Sequence, residues 1–318
     1  MKVSLYTISY TGIWYDGPAL QIEEIIPKIK EMGYEGIEIA AKRPHASPLD
    51  WDKKKCEKVK ELCNSYQMPI VALATYTNFA SPIMEERENE LLMLREQIKL
   101  ASWLEAPIVR VFAAWMGTAL KDGHGTYDFS RHTWKYPGCT YQDRWNWVRT
   151  CLEEAVKWAE EYNLVLALQT HGPVVRLGYE DTLEMIKQVN SKYLKMSLDI
   201  GLACFDQFTQ QSDEYIAKAV QECRDLIVHS HFNGKFEETP EGEVVQVPYD
   251  FPGLTPPGGS IINYPAFVKE LKKINYQGYI SFEVCSPVIK HGRLQGLEEV
   301  DRQVRLALKY MKNLIMKA

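Results

Sequence analysis

The feature that most constrains this chain is an alternation repeated eight times. Short β-rich runs stand at VSLYTIS (3–9), GIEIAA (36–41), PIVALATY (69–76), PIVRVFAAW (107–115), LVLALQTH (164–171), LKMSLDI (194–200), LIVHSHF (226–232) and YISFEV (279–284). Between them lie stretches whose apolar residues recur at three and four, the period of a helix with one buried face. These include IEEIIPKIKEMG (22–33), KKKCEKVKELCNSY (53–66), ENELLMLREQIKLASWL (88–104), WNWVRTCLEEAVKWAEEYN (145–163), YPAFVKELKKIN (264–275) and VDRQVRLALKYMKNL (300–314). Gly33 and Asn163 end two of these patterns where a left-handed cap is expected. Pro27 falls inside the first and blurs its early boundary, because proline removes a helical hydrogen bond. Eight β–α units without a linker predict one domain over residues 1–318, a (β/α)8 TIM barrel. An open doubly wound sheet is the alternative, but no G-x-G-x-x-G opens a helix.

Two connections are too long for ordinary βα loops: 116–143 after strand 4 and 233–262 after strand 7. Both follow the C-terminal ends of strands, the face on which barrel enzymes carry their sites. The first is rich in aromatic residues (Tyr127, Phe129, Trp134, Tyr136, Tyr141), which favours packing or sugar stacking.

Bulk composition narrows the partners. The net charge of −5 gives no electrostatic reason to hold nucleic acid or an anionic membrane. No run approaches ~18 uninterrupted apolar residues, so no membrane span is expected. The N-terminus enters a β-like run at once and lacks the pattern of a signal peptide. Seven scattered cysteines without a C-x-x-C pair fit a reduced, cytoplasmic location.

The late strands end on a consistent chemistry. Strand 5 offers Gln169 and His171, strand 6 Asp199, strand 7 His229 and His231, and strand 8 Glu283. A closed barrel brings such ends around one axis. Oxygen and imidazole donors without a thiolate suit Mn²⁺, Mg²⁺, Co²⁺ or Zn²⁺ in an open geometry. Each residue also has an ordinary reading: Asp199 as a helix cap, the histidines as satisfied core residues, Gln169 as a partner of backbone. Glu283 is the hardest to read that way, because a carboxylate inside an apolar strand needs a cation or donors. Four successive strands ending on metal-compatible groups carry the case.

The segments GYEGIEI, VRVF, LALQTH, SLDIG, VHSHF and ISFE resemble strand signatures of the xylose isomerase-like TIM-barrel superfamily, the sugar phosphate isomerase/epimerase group. The likeness runs from residue 3 to about residue 312. In ketose 3-epimerases of that superfamily a divalent metal is held by Glu, Asp, His and Glu at the ends of strands 5 to 8. The two glutamates also exchange protons with the substrate carbon. The resemblance therefore implies Gln169, Asp199, His231 and Glu283 as ligands, with Mn²⁺ first among the candidate ions. It implies a small carbohydrate as substrate and a homo-oligomer, with room for a second, small subunit type. This chain departs at two points: Gln169 replaces a Glu, and Leu202 stands where a D-x-x-H histidine belongs.

Gln169 can give an oxygen to a hard cation but cannot take up a proton at neutral pH. Symmetric exchange between two glutamates is then unavailable. His171, on the same face of the strand as Gln169, offers a replacement acid or base beside Glu283. His45, in PHASPLDW after strand 2, either contacts substrate or caps the next helix. Arg110 either binds a polar substrate group or pairs with a barrel carboxylate. Trp115 can stack on a sugar ring, and Lys235 can steady a carbonyl or phosphate or remain solvated. The expected activity is metal-assisted proton abstraction beside a sugar carbonyl through an enediolate, giving isomerisation or epimerisation. A first alternative is a metal-dependent lyase or hydratase on a 3-oxo-glycoside, resembling the catalytic subunit of C-glycoside deglycosidases. A second is a sugar-binding barrel without catalysis. An endonuclease IV-like nuclease shares the superfamily but needs a basic face and more metal-binding histidines than the seven present in all.

Overall fold

The structure, a computed structural model, describes residues 1–115, 117–127, 138–171, 178–203, 212–248, 259 and 261–318. Its centre is a closed parallel barrel of eight strands. These are β1 (Lys2–Tyr6), β2 (Gly36–Ala40), β3 (Ile70–Ala74), β4 (Ile108–Val111), β5 (Val165–Gln169), β6 (Leu194–Ser197), β7 (Ile227–Phe232) and β8 (Tyr279–Phe282). Each strand pairs with its neighbours in sequence, and β8 closes on β1 with Lys2 opposite Tyr279 and Leu5 opposite Phe282. The surrounding helices are α1 (Ile22–Met32), α2 (Lys53–Ser65), α3 (Met84–Leu104), α4 (Tyr141–Glu161), α5 (Tyr179–Val189), α6 (Asp213–Cys223), α7 (Tyr264–Lys273) and α8 (Leu297–Lys317).

Strand periodicity sorts the core into two layers. Val3, Leu5, Ile37, Ile39, Val109, Val111, Leu166 and Leu168 are buried, as an outer face under helices requires. The alternate positions are polar to an unusual degree. Ser4, Glu38, Arg110, His229, His231 and Ser281 are buried, and hydrogen bonds and ion pairs among them cross the barrel interior. Such an interior is tolerable only because its groups satisfy one another. Gly36, at the start of β2, permits a close approach. A Cβ there would lie 2.6 Å from Val71 and 2.8 Å from the Tyr279 ring.

The helix ends follow local chemistry. Asp52, Thr140, Ser212 and Asn263 cap α2, α4, α6 and α7 by accepting backbone N–H groups. Gly33 closes α1 with φ 97°, and Asn163 just beyond α4 has φ 52°. Helix α1 runs through Pro27 without interruption.

Several elements depart from the sequence expectation. The first β-run stops at Tyr6, and Thr7–Tyr10 forms a 3-10 turn. Strand 4 stops at Val111, and Ile200–Ala203 beyond β6 coils into a helical turn. Helices α3 and α4 begin four residues earlier than their apolar patterns suggest, at Met84 and Tyr141. The loop after β4 contains a hairpin, Ala119–Lys121 with His124–Thr126, and the loop after β7 another, Lys235–Glu238 with Val244–Val247. Of the aromatic residues in the first loop, Phe129, Trp134 and Tyr136 lie outside the described residues, as does the side chain of Leu202. No helix among the described residues is long and apolar enough to cross a membrane.

Candidate metal centre and active site

The C-terminal ends of β5 to β8 bring four side chains together. Gln169 ends β5, Asp199 follows β6, His231 lies near the end of β7, and Glu283 follows β8. Single ligand atoms of Asp199, His231 and Glu283 all lie within 4.8 Å of one another. Gln169 Nε2 donates to Asp199 Oδ2 at 3.1 Å and stands 3.5 Å from His231 Nδ1. His231 Nδ1 in turn lies 3.6 Å from Glu283 Oε2. Asp199 is also held from behind: its Oδ1 accepts from Gly201 N at 3.2 Å, and its backbone N–H donates to Thr170 Oγ1. It thus caps the short helical turn and faces the cluster at the same time.

The opposite edge of His231 is anchored by a residue the sequence reading passed over. Its Nε2 lies 2.8 and 3.0 Å from the two Glu38 oxygens, and His229 Nε2 reaches Glu38 Oε2 at 2.9 Å. Glu38 sits in mid-strand on β2, inside the apolar run GIEIA, and is fully buried. That is the same signal that singled out Glu283. Burial opposes the ionisation of Glu38, but His231 and His229 outweigh it and hold the carboxyl well below the usual range. Burial likewise works against a charged His231, and Glu38 reverses it, raising the imidazole above its ordinary value. His229 moves the other way, because for it burial outweighs Glu38. With its Nε2–H committed to Glu38, the neutral His231 ring would present the Nδ1 lone pair to the cluster. A carboxylate behind a histidine in this way is how proteins orient a metal-binding imidazole.

Arg110 completes the support. It is 1% exposed, its Nε lies 3.8 Å from Glu38 Oε1, and it donates to Thr75 O at 3.0 Å and Tyr6 Oη at 2.9 Å. Of its two expected roles the geometry displays the pairing with a barrel carboxylate. Tyr6 bonds Tyr76 Oη at 2.6 Å and stacks on the His231 ring.

Two features fit a cation. Gln169 Oε1 is buried and has no hydrogen-bond partner among the described residues. Rotating the amide would exchange its oxygen and nitrogen and aim that oxygen at the cluster. Asp199 is pushed up to about 7, first by burial and then by Glu283. Two carboxylates this close call for a shared proton or a cation. The donor set of one amide oxygen, two carboxylates and one imidazole suits a divalent ion of the harder type.

The remaining expected residues surround this centre. Glu283 is 8% exposed, against 0–1% for Gln169, Asp199 and His231. It borders a cavity of about 340 Å³ shared with Lys235, Ser286, Val288 and Lys290. Among the described residues the cluster is most exposed at Glu283. His171 packs edge-on against Phe112 and Trp115, with ring centroids 4.7 and 5.2 Å away. Trp115 stacks on Phe112 and meets Tyr76 and Tyr127 edge-on. His45 is buried, with Nε2 3.1 Å from Leu20 O, and burial pushes its pKa down to about 4. It ties the loop after β2 to the segment before α1.

Comparison with known proteins places this arrangement. Fructoselysine 3-epimerase of Shigella flexneri is 30% identical over 122 residues, covering 37% of this chain and 42% of that protein. The 3-dehydroshikimate dehydratase of Bacillus anthracis is 22% identical over 285 residues, covering 87% of this chain and 89% of that one. The D-psicose 3-epimerase of Clostridium cellulolyticum H10, solved with D-tagatose, superposes with a TM-score of 0.70 at 16% identity, covering 99% of both chains. A family model for the xylose isomerase-like TIM barrel matches residues 26–314. With a closed eight-stranded parallel barrel and that match over most of its length, the chain belongs to the xylose isomerase-like TIM-barrel family.

Proposed function

We propose that the protein is a divalent-metal-dependent enzyme that removes a carbon-bound proton beside a sugar carbonyl. The observation that carries this reading is the convergence of Asp199, His231 and Glu283 within 4.8 Å, with the Gln169 amide in contact with Asp199. Gln169, Asp199, His231 and Glu283 would hold the ion, Mn²⁺ before Mg²⁺, Co²⁺ or Zn²⁺. When bound, the ion supplies Lewis acidity toward a carbonyl and a neighbouring hydroxyl. Glu38 keeps the His231 lone pair aimed inward, and the dry walls of the barrel strengthen every charge interaction inside.

Glu283 is the proton acceptor in this scheme, because it is the most exposed of the four and borders a cavity. The C–H electron pair moves into the adjoining carbonyl, leaving an enediolate on the sugar. Lys235, on the same cavity, steadies the oxygen that gains charge. Return of a proton to the opposite face gives epimerisation, and return to the adjacent carbon gives isomerisation. His171 is the candidate second acid, approaching from the Phe112 and Trp115 side.

A second reading is elimination. Gln169 has no proton to exchange, so a single carboxylate with a different acid suits loss of a β-substituent, as in a lyase acting on a 3-oxo-glycoside or a dehydratase. The enediolate is common to both readings; the fate of its electrons divides them. The six described cysteines are all unpaired, which favours a reducing compartment such as the cytoplasm.

The test is direct. Purified protein loaded with Mn²⁺ and incubated in D₂O with ketohexoses and 3-oxo-glucosides should place deuterium at the carbon beside the carbonyl, and EDTA should stop it. Stoichiometric metal with no deuterium in any substrate would instead favour a sugar-binding barrel without catalysis.

A further inference from the structure

A second cavity, of about 720 Å³, opens on the same end of the barrel but on the β2–β4 side. Lys42 after β2, Tyr76 and Asn78 after β3, Glu90 and Gln97 of α3, and Trp115 after β4 line it. Neither the proton acceptor nor any other member of the ligand cluster touches it. Tyr76 and Trp115 form the partition, since Tyr76 also bonds Tyr6 beside His231 and Trp115 also touches His171.

The lining is built for hydroxyl groups. Gln97 is 4% exposed; its Nε2 donates to Ala41 O, while its Oε1 has no partner among the described residues. Thr118 Oγ1, on the same wall, is also buried and has no partner among the described residues. Leaving such groups unsatisfied costs about 1–3 kcal/mol each, so a ligand that bonds them is favoured. Lys42, which also lines the cavity, holds its Nζ 4.1 Å from the centre of the Tyr76 ring. The Trp115 and Tyr76 rings meet edge-on with centroids 6.0 Å apart and give the cavity an aromatic wall. An acceptor, a hydroxyl, a cation and an aromatic face describe a polyhydroxylated ring. The volume exceeds what one hexose fills.

We propose that this cavity is a distal subsite holding the second ring of a disaccharide-like glycoside, while the reacting ring lies on the Glu283 side of the Tyr76–Trp115 partition. The assignment rests on the proposed sugar chemistry, and it names the substrate class: glycosides longer than a single ring. The distal ring is bound without the metal, because none of its contacts belongs to the cluster.

Ligand-observed NMR titration of the EDTA-treated full-length protein tests it, with cellobiose, lactose, sucrose and trehalose against D-glucose and D-fructose. At least one disaccharide should bind tenfold or more tightly than either monosaccharide. In Thr118→Val and in Gln97→Met, each checked for an unchanged melting curve, that ratio should fall toward one. Glu283→Gln should leave the ratio intact while abolishing deuterium exchange. Equal binding of all six sugars, or a ratio untouched by both variants, overturns the distal subsite. Deuterium exchange retained in Glu283→Gln, with the ratio intact, would instead sink only the catalytic reading.

Discussion

Two carboxyls, the fully buried Asp199 and the half-buried Glu90, are both pushed up to about 7, and for the same leading reason, desolvation by the surrounding protein. Asp199 belongs to the β5–β8 side and Glu90, on α3, to the β2–β4 side. Their company differs. Asp199 faces Glu283 and His231, whose ligand atoms converge with its own, and accepts a hydrogen bond from the Gln169 amide. Glu90 has Glu86 and the Asn78 backbone nearby and opens on a wide polar cavity. Equal acidity therefore does not make equal sites. What separates a centre for a small ion from a cradle for hydroxyls is the convergence of donors, not the strength of any one.

The strongest way to break the contrast is to remove the group that faces substrate. Glu283→Gln should lower turnover by about 10³-fold or more, with melting temperature little changed. Activity within tenfold of wild type would remove Glu283 from the proton-accepting role. The next largest effect should come from Glu38→Gln, which leaves the Arg110 charge without its carboxylate. We expect about 3–5 kcal/mol of lost stability by denaturant unfolding and about 10–100-fold weaker Mn²⁺ binding by calorimetry. Gln169→Glu should tighten Mn²⁺ by about tenfold through the added charge, and an unchanged affinity would place Gln169 outside the ligand set.

The smallest effects sharpen the comparison through pH. Both raised carboxyls bind their protons more tightly folded than unfolded. Their stabilising contribution is complete below the unfolded values of 3.8 for Asp199 and 4.5 for Glu90, and it is lost as pH rises through about 7. Glu90→Gln should thus gain about 2 kcal/mol over wild type at pH 8 and nothing at pH 4, read from urea midpoints. Mn²⁺ should release a proton from Asp199 below pH 7, seen as a buffer-dependent binding enthalpy, and Glu90→Gln should not alter that release.

Much of this was legible in the sequence. All eight β-runs contain barrel strands, because a parallel barrel buries both strand faces and so writes its strands as apolar blocks. The four expected ligands converge for the same reason: each ends such a block. Glu38 carried the same signal as Glu283, a carboxylate inside an apolar run, but it lies in mid-strand and not at a strand end, and its partners on β4 and β7 are visible only in the fold. The hairpin at 119–126 did carry a signal, Asp122–Gly123, and both residues adopt positive φ, 52° and 84°. Thr7–Tyr10 misled because its residues favour strands, yet its place beyond the barrel rim turns the chain.

Glu38 draws on Arg110 from β4 and on two imidazoles from β7, so one carboxylate binds three distant stretches of chain into a single electrostatic unit. Such a unit is inherited whole or not at all. A chimera taking its first four strands from another barrel would keep every ligand in the second half, yet lose the acid that orients His231. The two halves of this barrel are thus not interchangeable modules, however alike their outlines, and recombination at the midpoint should yield a folded shell whose centre no longer aims.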